Sequence, residues 1–340
     1  MMNREWYEIG LRDACAGFED VLWGKRVLVT GATGMIGSYL IDALRLTVPD
    51  VEIYAAGRSP EGLRRRFGDA VDDPRFHCVA YDAAKPPVLD FDADYVVHAA
   101  CSAHPMAYAT DPVGIMKANL NGAQGLLEYL RDHEHARMVF LSTGEIYGEN
   151  PGLPDGFREE DHGWVDPMRP RACYPESKRA AETLCAAYAA QYGVNVRVAR
   201  LSHVYGPSLS PTNSRADAQF LRNALRGEDI VMKSDGAQVR SWCYVADAVN
   251  GLLTLLDRGL PGAAYNVSNR DAVASIREYA QTLAKLAGVS LRFDLPPALE
   301  QAGYTKVTRA VLNPARLEGL GFRAKYGLRE GLEQTLGCLK

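Results

Sequence analysis

The sequence predicts an α/β fold, with a doubly wound parallel sheet and a smaller, irregular C-terminal lobe. Short apolar runs alternate with segments of helical periodicity between residues 25 and 201, which is typical of strands joined by covering helices. The first apolar run ends in a glycine-rich turn that opens directly onto a helix. Beyond residue 201, Gly206-Pro207 and the segment 211–214 break this alternation, as the loops of an irregular lobe do.

The predicted elements follow one another regularly after a helical lead-in at 3–22. Strands are predicted at 26–30, 51–56, 76–80, 95–100, 138–142 and 196–201. Helices are predicted between them at 35–46, 60–67, 112–132 and 175–192. Strands that are near-continuous apolar runs favour a parallel sheet covered on both faces. In such a sheet, ligands bind beyond the carboxyl ends of the strands.

Composition excludes several classes of protein. The 340 residues are 47% hydrophobic and 24% charged, a globular profile. With 38 basic against 42 acidic residues and no basic block beyond Arg64-Arg65-Arg66, the chain lacks the charge pattern of a nucleic-acid-binding protein. Its seven cysteines form no Cys-x-x-Cys pair, and no apolar run reaches the ~18 residues of a membrane span. We therefore expect a cytoplasmic protein with reduced thiols and neither a nucleic-acid nor a membrane partner.

The glycine-rich turn contains Gly31, Gly34 and Gly37, with Met35 and Ile36 between the last two. Glycines permit a tight turn and a close backbone approach, and the N-terminus of the following helix attracts a pyrophosphate. The turn therefore predicts a dinucleotide site. Its G-x-x-G-x-x-G spacing resembles the extended branch of the short-chain dehydrogenase/reductase superfamily, which implies a Rossmann fold and cofactor contacts from all five residues.

The choice of cofactor depends on the end of the second strand. This strand leads into Gly57-Arg58, without the acidic residue that binds the ribose in NAD-specific sites. Arg58 could instead bind the 2′-phosphate of NADP, or it could be a solvated loop arginine, so NAD and NADP both stay open. The family resemblance further implies that Asp82 hydrogen-bonds the adenine and that Ala99 and Ala100 line the cofactor site.

Tyr174 and Lys178 are four residues apart at the start of a predicted helix, so both lie on one helical face. A phenol has a pKa near ~10, so a tyrosine that acts as a base needs a neighbouring ammonium to stabilise its phenolate. Lys178 is placed to supply it and also to reach the nicotinamide ribose. Thr143, at the end of a buried strand, can hydrogen-bond the hydroxyl that is oxidised. These three residues predict hydride-transfer chemistry.

Longer segments narrow the resemblance to nucleotide-sugar epimerases, dehydratases and decarboxylases, over about residues 25 to 325. The most specific segments are Leu141-Ser-Thr-Gly-Glu-Ile-Tyr-Gly148, Arg200-Leu-Ser-His-Val-Tyr-Gly-Pro207 and Val239-Arg-Ser-Trp-Cys-Tyr-Val-Ala-Asp247. The resemblance implies that Arg240 contacts the nucleotide diphosphate or the sugar, a role that its charge suits; a surface ion pair is the alternative. His203 stands where the decarboxylases usually have asparagine, at a position that faces the substrate.

Glu145 bears most directly on the reaction. The dTDP-glucose 4,6-dehydratases have Thr-Asp-Glu where this chain has Thr143-Gly144-Glu145. The glutamate that removes a C5 proton is therefore present without the aspartic acid that protonates the departing hydroxyl. UDP-glucuronate decarboxylases have Thr-Ser-Glu and are the nearest relatives by this local test, although Gly144 lacks their serine. The alternative interpretation of Glu145 is an ordinary acid at a strand end.

These residues predict an enzyme that acts on a nucleotide sugar through a transient keto-sugar, with tightly bound NAD or NADP. An epimerase needs the fewest extra groups and is our first expectation. A UDP-glucuronate-type decarboxylase or a sugar dehydratase is the alternative. A non-catalytic dinucleotide sensor is a third possibility, which the presence of Tyr174 and Lys178 opposes. We expect no metal site, because His133 and His135 lie among charged residues at a helix end.

The chain is expected to have three parts. They are a helical extension at 1–24, a dinucleotide-binding domain at 25–201 plus about 236–270, and a nucleotide-sugar-binding lobe at about 202–235 plus 271–340. The second part is discontinuous because a helix at 244–257 and a strand at 264–267 are expected to rejoin the sheet. The family resemblance also implies a homodimer, in which helices 112–132 and 175–192 of two copies form a four-helix bundle.

Overall fold

Parallel strands form the central sheet of the computed structural model, which describes residues 2–101, 103, 105–150, 152–209, 213–294 and 307–340. The strands of the described residues are β1 (Arg26–Thr30), β2 (Glu52–Gly57), β3 (Phe76–Ala80), β4 (Tyr95–His98), β5 (Arg137–Thr143), β6 (Val196–Leu201), β7 (His203–Tyr205), β8 (Ile230–Met232), β9 (Val239–Tyr244), β10 (Ala264–Val267), β11 (Val273–Ser275), β12 (Leu291–Phe293) and β13 (Arg309–Ala310). Seven of them pair in the order β10-β6-β5-β4-β1-β2-β3. The predicted doubly wound fold is therefore confirmed, with its reversal point between β1 and β4.

Helices cover both faces of this sheet. The helices of the described residues are α1 (Arg4–Cys15), α2 (Glu19–Leu22), α3 (Met35–Thr47), α4 (Pro60–Phe67), α5 (Pro105–Thr110), α6 (Pro112–Asp132), α7 (Cys173–Tyr192), α8 (Ala216–Leu225), α9 (Val245–Arg258), α10 (Ile276–Ala287), α11 (Ala315–Glu318) and α12 (Leu328–Leu339). Short 3₁₀ turns occur at Gly68–Asp72, Gly144–Tyr147 and Pro170–Ala172. Within the described part of the chain, no helix has both the length and the apolar character needed to cross a membrane.

The two faces of the sheet carry separate hydrophobic clusters. Val27 and Val29 of β1 pack into one cluster, and Leu28 between them packs into the other. This alternation follows from the strand geometry, in which successive side chains point to opposite faces. Because both faces are covered, β1 is apolar throughout its centre, which is why a continuous apolar run predicts a strand there.

A second, smaller sheet forms in the C-terminal part of the chain. Its centre is β9, which pairs with β7, β11 and β13, while β8 pairs with β12. Within the segment of about 236–270, β9 thus belongs to this second sheet, whereas β10 joins the central sheet beside β6. The division of the chain into parts stays a proposal.

The N-terminal helix α1 packs between α3, α9 and α12. Asp13 of α1 accepts a hydrogen bond from Tyr326 and forms an ion pair with Lys325 at 2.7 Å. The Gln334 side chain of α12 donates to the Trp6 carbonyl at 2.5 Å. The extension is therefore bound both to the glycine-turn helix and to the C-terminal end of the chain.

A buried ion pair stands directly behind the end of β5. Glu182 of α7 and Arg200 of β6 are 2.7 Å apart, with only 10% and 12% of their side chains exposed. Arg200 also donates to the hydroxyl of Tyr147 and to the carbonyl of Glu159, both at 2.8 Å. Ser142, the residue before Thr143, donates its hydroxyl to Glu182. This network fixes where β5 ends relative to α7.

We expect Arg200→Met to lower the free energy of unfolding by about 3–5 kcal/mol, because it leaves the buried Glu182 carboxylate without its partner. Urea denaturation measures this change. A matched control is Arg329→Met, which breaks the exposed pair of Arg329 with Glu333 and should cost less than about 1 kcal/mol. Equal losses in the two variants would contradict a structural role for the buried pair.

Candidate functional site

The glycine turn lies at the reversal point of the sheet. Gly31 has a φ of +68°, a conformation that L side chains rarely adopt. A Cβ atom on it would lie 2.6 Å from the Ala99 carbonyl oxygen and 2.8 Å from the Ala100 nitrogen. The predicted strand at 95–100 therefore ends at His98, because Ala99 and Ala100 leave the sheet and run against the turn. The structure brings the predicted residues Gly31, Ala99 and Ala100 into direct contact.

The start of α3 fits a dinucleotide. A Cβ on Gly37 would lie 2.5 Å from the Gly31 carbonyl, so the helix can approach the turn this closely only without a side chain there. Gly34 occupies the N-cap position and offers no side chain to the amide groups of the first turn, which leaves these donors for an anion. Met35 accepts a hydrogen bond from the Ser208 hydroxyl at 3.0 Å, and Ile36 follows it in the first turn.

Arg58 and Asp82 follow the neighbouring strands β2 and β3 at the same edge of the sheet. Arg58 is exposed and has no hydrogen bond to another residue of the described chain. Asp82 accepts from the Ala84 amide at 3.1 Å and is 3.7 Å from the Lys85 ammonium. Both positions suit the adenosine half of a dinucleotide held at Gly31, and their roles stay predictions.

Tyr174 and Thr143 meet where β5 ends and α7 begins. Burial raises the pKa of Tyr174 above its ordinary value, and nearby Cys101 and Glu145 raise it further, whereas the Thr143 hydroxyl lowers it through a hydrogen bond. Thr143 also accepts from the Glu145 amide at 3.2 Å. The phenol is therefore neutral in the chain alone, with Thr143 beside it.

Lys178 is almost completely buried one helical turn after Tyr174. Burial lowers the pKa of its ammonium. The ammonium donates to the Leu141 carbonyl at 2.7 Å and lies 4.6 Å from the centre of the Phe140 ring. Among the hydrogen bonds of the described residues, it makes none directly to Tyr174. The predicted stabilisation of the Tyr174 phenolate by Lys178 would therefore act through space or through a bound group.

Glu145 lies in the 3₁₀ turn after β5 and forms an ion pair that sequence reasoning missed. Arg171 donates to its carboxylate at 2.8 Å. Burial alone would lower the pKa of Arg171, but the charge of Glu145 raises it. The guanidinium stands 4.4 Å above the ring of Tyr108, which in turn stacks on Tyr174 at 4.8 Å. The only sequence signal for Arg171 is its place three residues before Tyr174.

The two predicted substrate-facing residues converge from the second sheet. His203 of β7 pairs in register with Trp242 of β9, and burial together with the charges of Arg240 and Arg215 lowers its pKa. Arg240 is only 4% exposed and donates to the Val239 carbonyl at 2.9 Å. Burial lowers its pKa to about 10, so it stays charged at neutral pH. Arg215, whose buried Nε makes no hydrogen bond within the described residues and lies 3.6 Å from the Asp217 carboxylate, was not foreseen.

Gly144, where relatives carry a polar side chain, packs against Leu312. A Cβ on Gly144 would lie 3.1 Å and 3.2 Å from the two terminal methyl carbons of Leu312. A larger side chain would therefore force Leu312 to move. The absence of the dehydratases' aspartic acid is thus accompanied by an apolar side chain that lies against the same position.

The described residues contain no group of three or more His, Cys, Asp or Glu that could hold a metal ion. His133 instead donates from Nδ1 to the Tyr129 carbonyl at 2.7 Å, and its Nε2 lies 3.2 Å from the Asp92 carboxylate.

Comparisons with known proteins agree with this geometry. The model of the NAD dependent epimerase/dehydratase family matches residues 27–268, so the chain belongs to this family, and the predicted dinucleotide cofactor is confirmed. UDP-glucuronic acid decarboxylase 5 of Arabidopsis thaliana is 33% identical over 310 residues, which cover 90% of this chain and 87% of that protein. UDP-glucuronic acid decarboxylase 1 of Xenopus tropicalis is 34% identical over 312 residues, covering 92% and 71%.

Solved structures show the same fold. A dTDP-glucose 4,6-dehydratase from Streptomyces venezuelae with NAD is 27% identical, with a TM-score of 0.77, covering 92% of this chain and 95% of that one. The UDP-glucose 4-epimerase of Thermus thermophilus in complex with NAD is 26% identical, with a TM-score of 0.75, covering 92% and 98%. The nucleotide-sugar branch identified from the motifs is therefore confirmed.

We expect NADP⁺ to bind this protein at least comparably with NAD⁺, because Arg58 is free to pair with a 2′-phosphate and no acid stands beside it. Isothermal titration should show that Arg58→Ala weakens NADP⁺ binding about tenfold and leaves NAD⁺ binding nearly unchanged. The control Arg131→Ala, at an exposed position of α6, should change neither. Exclusive binding of NAD⁺ by the unaltered protein would place Arg58 in solvent.

Proposed function

We propose that this member of the NAD dependent epimerase/dehydratase family removes the carboxylate of a nucleoside-diphosphate-linked uronic acid, as a UDP-glucuronate-type decarboxylase. The observation that carries the proposal is the likeness, over nine tenths of the chain, to UDP-glucuronic acid decarboxylases at 33% and 34% identity. These relatives favour the decarboxylase, our alternative, over the epimerase, which we expected first because it needs the fewest extra groups. The reaction is supported by a site that joins a hydride-transfer set to a glutamate.

In this proposal the glycine turn holds the dinucleotide. Gly31, Gly34 and Gly37 leave room for its pyrophosphate, and Lys178 is close enough to the end of β5 to hold the nicotinamide ribose. Bound NAD would supply an acceptor for one hydride from the sugar carbon and would return it at the end. Met35, Ile36, Ala99 and Ala100 would contact the dinucleotide beside this turn.

Tyr174 and Thr143 would act on the sugar hydroxyl that becomes a ketone. Thr143 hydrogen-bonds this hydroxyl, and Tyr174 takes its proton once positive charge near the phenol lowers the raised pKa. The ketone stands β to the carboxylate, so the electron pair of the breaking C–C bond passes to the ketone oxygen as CO₂ leaves. Tyr174 and Thr143, which face this oxygen, stabilise the enolate.

Glu145 distinguishes the candidate reactions. A dehydratase, or an epimerase that inverts the carbon next to the ketone, needs it as a base for the adjacent C–H, whereas loss of CO₂ needs no base. In the decarboxylase, a proton must still reach the ring carbon that lost CO₂, and Glu145 would relay it from a water molecule by taking a proton from the water and passing it to the carbon. The apolar contact of Gly144 with Leu312 opposes a dehydratase, because no acid stands there to protonate a leaving hydroxyl. The pairing of Glu145 with Arg171 leaves a carboxylate at the position of such a base and keeps an epimerase as the second candidate.

We further propose that Arg240 and His203 hold the diphosphate or the sugar, and that two copies associate in the cytoplasm through α6 and α7. These two helices pack against each other. On the outer face of α6, Val113 and Met116 are exposed to 62% and 39%, apolar area that a second copy would cover.

The reaction can be identified by its products in D₂O. With UDP-glucuronate, we expect CO₂, a UDP-pentose and one solvent deuterium at the carbon that carried the carboxylate. The purified protein is assayed by mass spectrometry and NMR. A uronate that keeps its carboxylate and inverts one carbon would instead identify an epimerase. No conversion of any nucleotide sugar in a panel, with cofactor bound, would support the non-catalytic sensor.

Tyr174→Phe should lower kcat by about 10²- to 10⁴-fold, because it removes the group that takes the hydroxyl proton. The ring and its stacking on Tyr108 remain, so cofactor binding and the melting temperature should not change. The matched control is Tyr192→Phe at the exposed end of the same helix, which should keep full activity. An active Tyr174→Phe variant would remove the proposed base.

A further inference from the structure

The Arg171 guanidinium and the phenol rings of Tyr108 and Tyr174 form one stack, and the Glu145 carboxylate pairs with the guanidinium. The Arg171 guanidinium lies over the Tyr108 ring at 4.4 Å, and Tyr108 stacks on Tyr174 at an interplanar angle of 23°. Both rings are buried, with 4% and 6% exposure. Glu145 holds the other side of the guanidinium at 2.8 Å. Arg171 is therefore fixed in place relative to the phenol oxygen of Tyr174.

Most N–H groups of the Arg171 guanidinium make no hydrogen bond to another described residue. Its five N–H groups make one hydrogen bond to another described residue, from Nη2 to Glu145. About half of the Arg171 side chain, 49%, and 39% of the Glu145 side chain are exposed. An arginine fork binds a planar carboxylate through two parallel N–H groups. The remaining N–H groups can therefore donate to a second carboxylate without breaking the pair with Glu145.

We infer that Arg171 is the residue that selects a uronate over a neutral sugar, by binding the carboxylate of the substrate next to that of Glu145. The inference rests on the proposed decarboxylase function and adds a specificity-determining residue to it. The group recognised is a sugar carboxylate on a nucleoside diphosphate. A neutral hexose, which has a hydroxymethyl group at this carbon, offers Arg171 no anion.

Glu145 limits how tightly Arg171 holds the substrate. A free guanidinium would stabilise the ground-state carboxylate and oppose its loss as neutral CO₂, because only binding that favours the transition state speeds the reaction. Shared with Glu145, the positive charge is largely neutralised, and the two carboxylates repel each other. The pair therefore recognises the uronate while keeping its carboxylate weakly bound.

Two substitutions should change uronate binding in opposite directions. Both are made in the Tyr174→Phe protein loaded with NAD, which keeps the aromatic stack and does not consume the substrate. Arg171→Gln should raise the Kd of UDP-glucuronate about tenfold or more, as expected for loss of a charged hydrogen bond. Glu145→Gln should lower that Kd several-fold, because the substrate carboxylate no longer meets a like charge. Neither should change the Kd of UDP-glucose more than about twofold.

The matched control is Arg169→Gln, which removes an equal charge two residues away, where Arg169 pairs with Asp166 at 3.1 Å. It should leave both dissociation constants unchanged. Arg171→Lys keeps the charge without the fork and should fall between the wild type and Arg171→Gln. A melting curve checks that each variant is folded, and the opposite effect of Glu145→Gln tests the idea even where Arg171→Gln is unstable.

Equal weakening of UDP-glucuronate and UDP-glucose by Arg171→Gln would overturn the inference and leave Arg171 a structural residue. So would weaker uronate binding in Glu145→Gln. If the wild type releases CO₂ but Arg171→Gln weakens both nucleotide sugars equally, the inference is wrong and the decarboxylase function stands. Selective loss of uronate binding without CO₂ release by the wild type would confirm Arg171 as the carboxylate-binding residue and overturn the decarboxylase instead.

Discussion

The close approach of Gly31 to Ala99 and Ala100 is the constraint on which the site depends. Side-chain atoms are excluded there, since a Cβ would lie 2.6 Å from a backbone carbonyl. The turn after β1 can therefore rest against the chain that leaves β4. Thr30 reinforces this contact, because its hydroxyl contacts the His98 ring at 2.7 Å and accepts from the Ala100 amide at 3.3 Å. Burial lowers the pKa of His98 to about 3, so the contact between Thr30 and His98 is uncharged at neutral pH.

Burial also sets the electrostatics of the reacting position. It raises the pKa of Tyr174 and lowers that of Lys178, so both groups are pushed towards their neutral forms. On the substrate side, Arg240 remains charged although it is buried, and it forms no ion pair with an acid among the described residues. A buried cation without an acidic partner is costly unless an anion arrives. The hydrogen bonds of Arg240 go to neutral oxygens of Val239, Gln238 and Val307, so its charge remains available on the side where the proposal places an anionic substrate.

Local patterns could be predicted from the sequence, and contacts between distant segments could not. The glycine turn and the Tyr174-Lys178 pair are set by spacing within one turn or helix, so the fold and the places of these residues could be predicted from the sequence, while their roles stay predictions. The Arg171-Glu145 pair joins positions 26 residues apart, and no periodicity marks it. The strands of the second sheet are mostly two or three residues long, too short for alternation to show. The motif at Thr143-Gly144-Glu145 indicated decarboxylases as the nearest relatives, but the count of groups that each reaction needs put an epimerase first.

The contact of Gly144 with Leu312 links this second sheet to the choice of reaction. Leu312 follows β13, and its amide donates to the Ser241 hydroxyl of β9 at 3.0 Å. This hydrogen bond holds Leu312 in position. The strand that carries Arg240 therefore also fixes the apolar side chain that lies against Gly144. Because no acid stands at position 144, a departing hydroxyl would not be protonated there. The loss of CO₂ from a β-keto acid needs no such acid. The small residue after Thr143 is thus compatible with loss of CO₂, whose bond-breaking step needs neither an acid at 144 nor a base at 145.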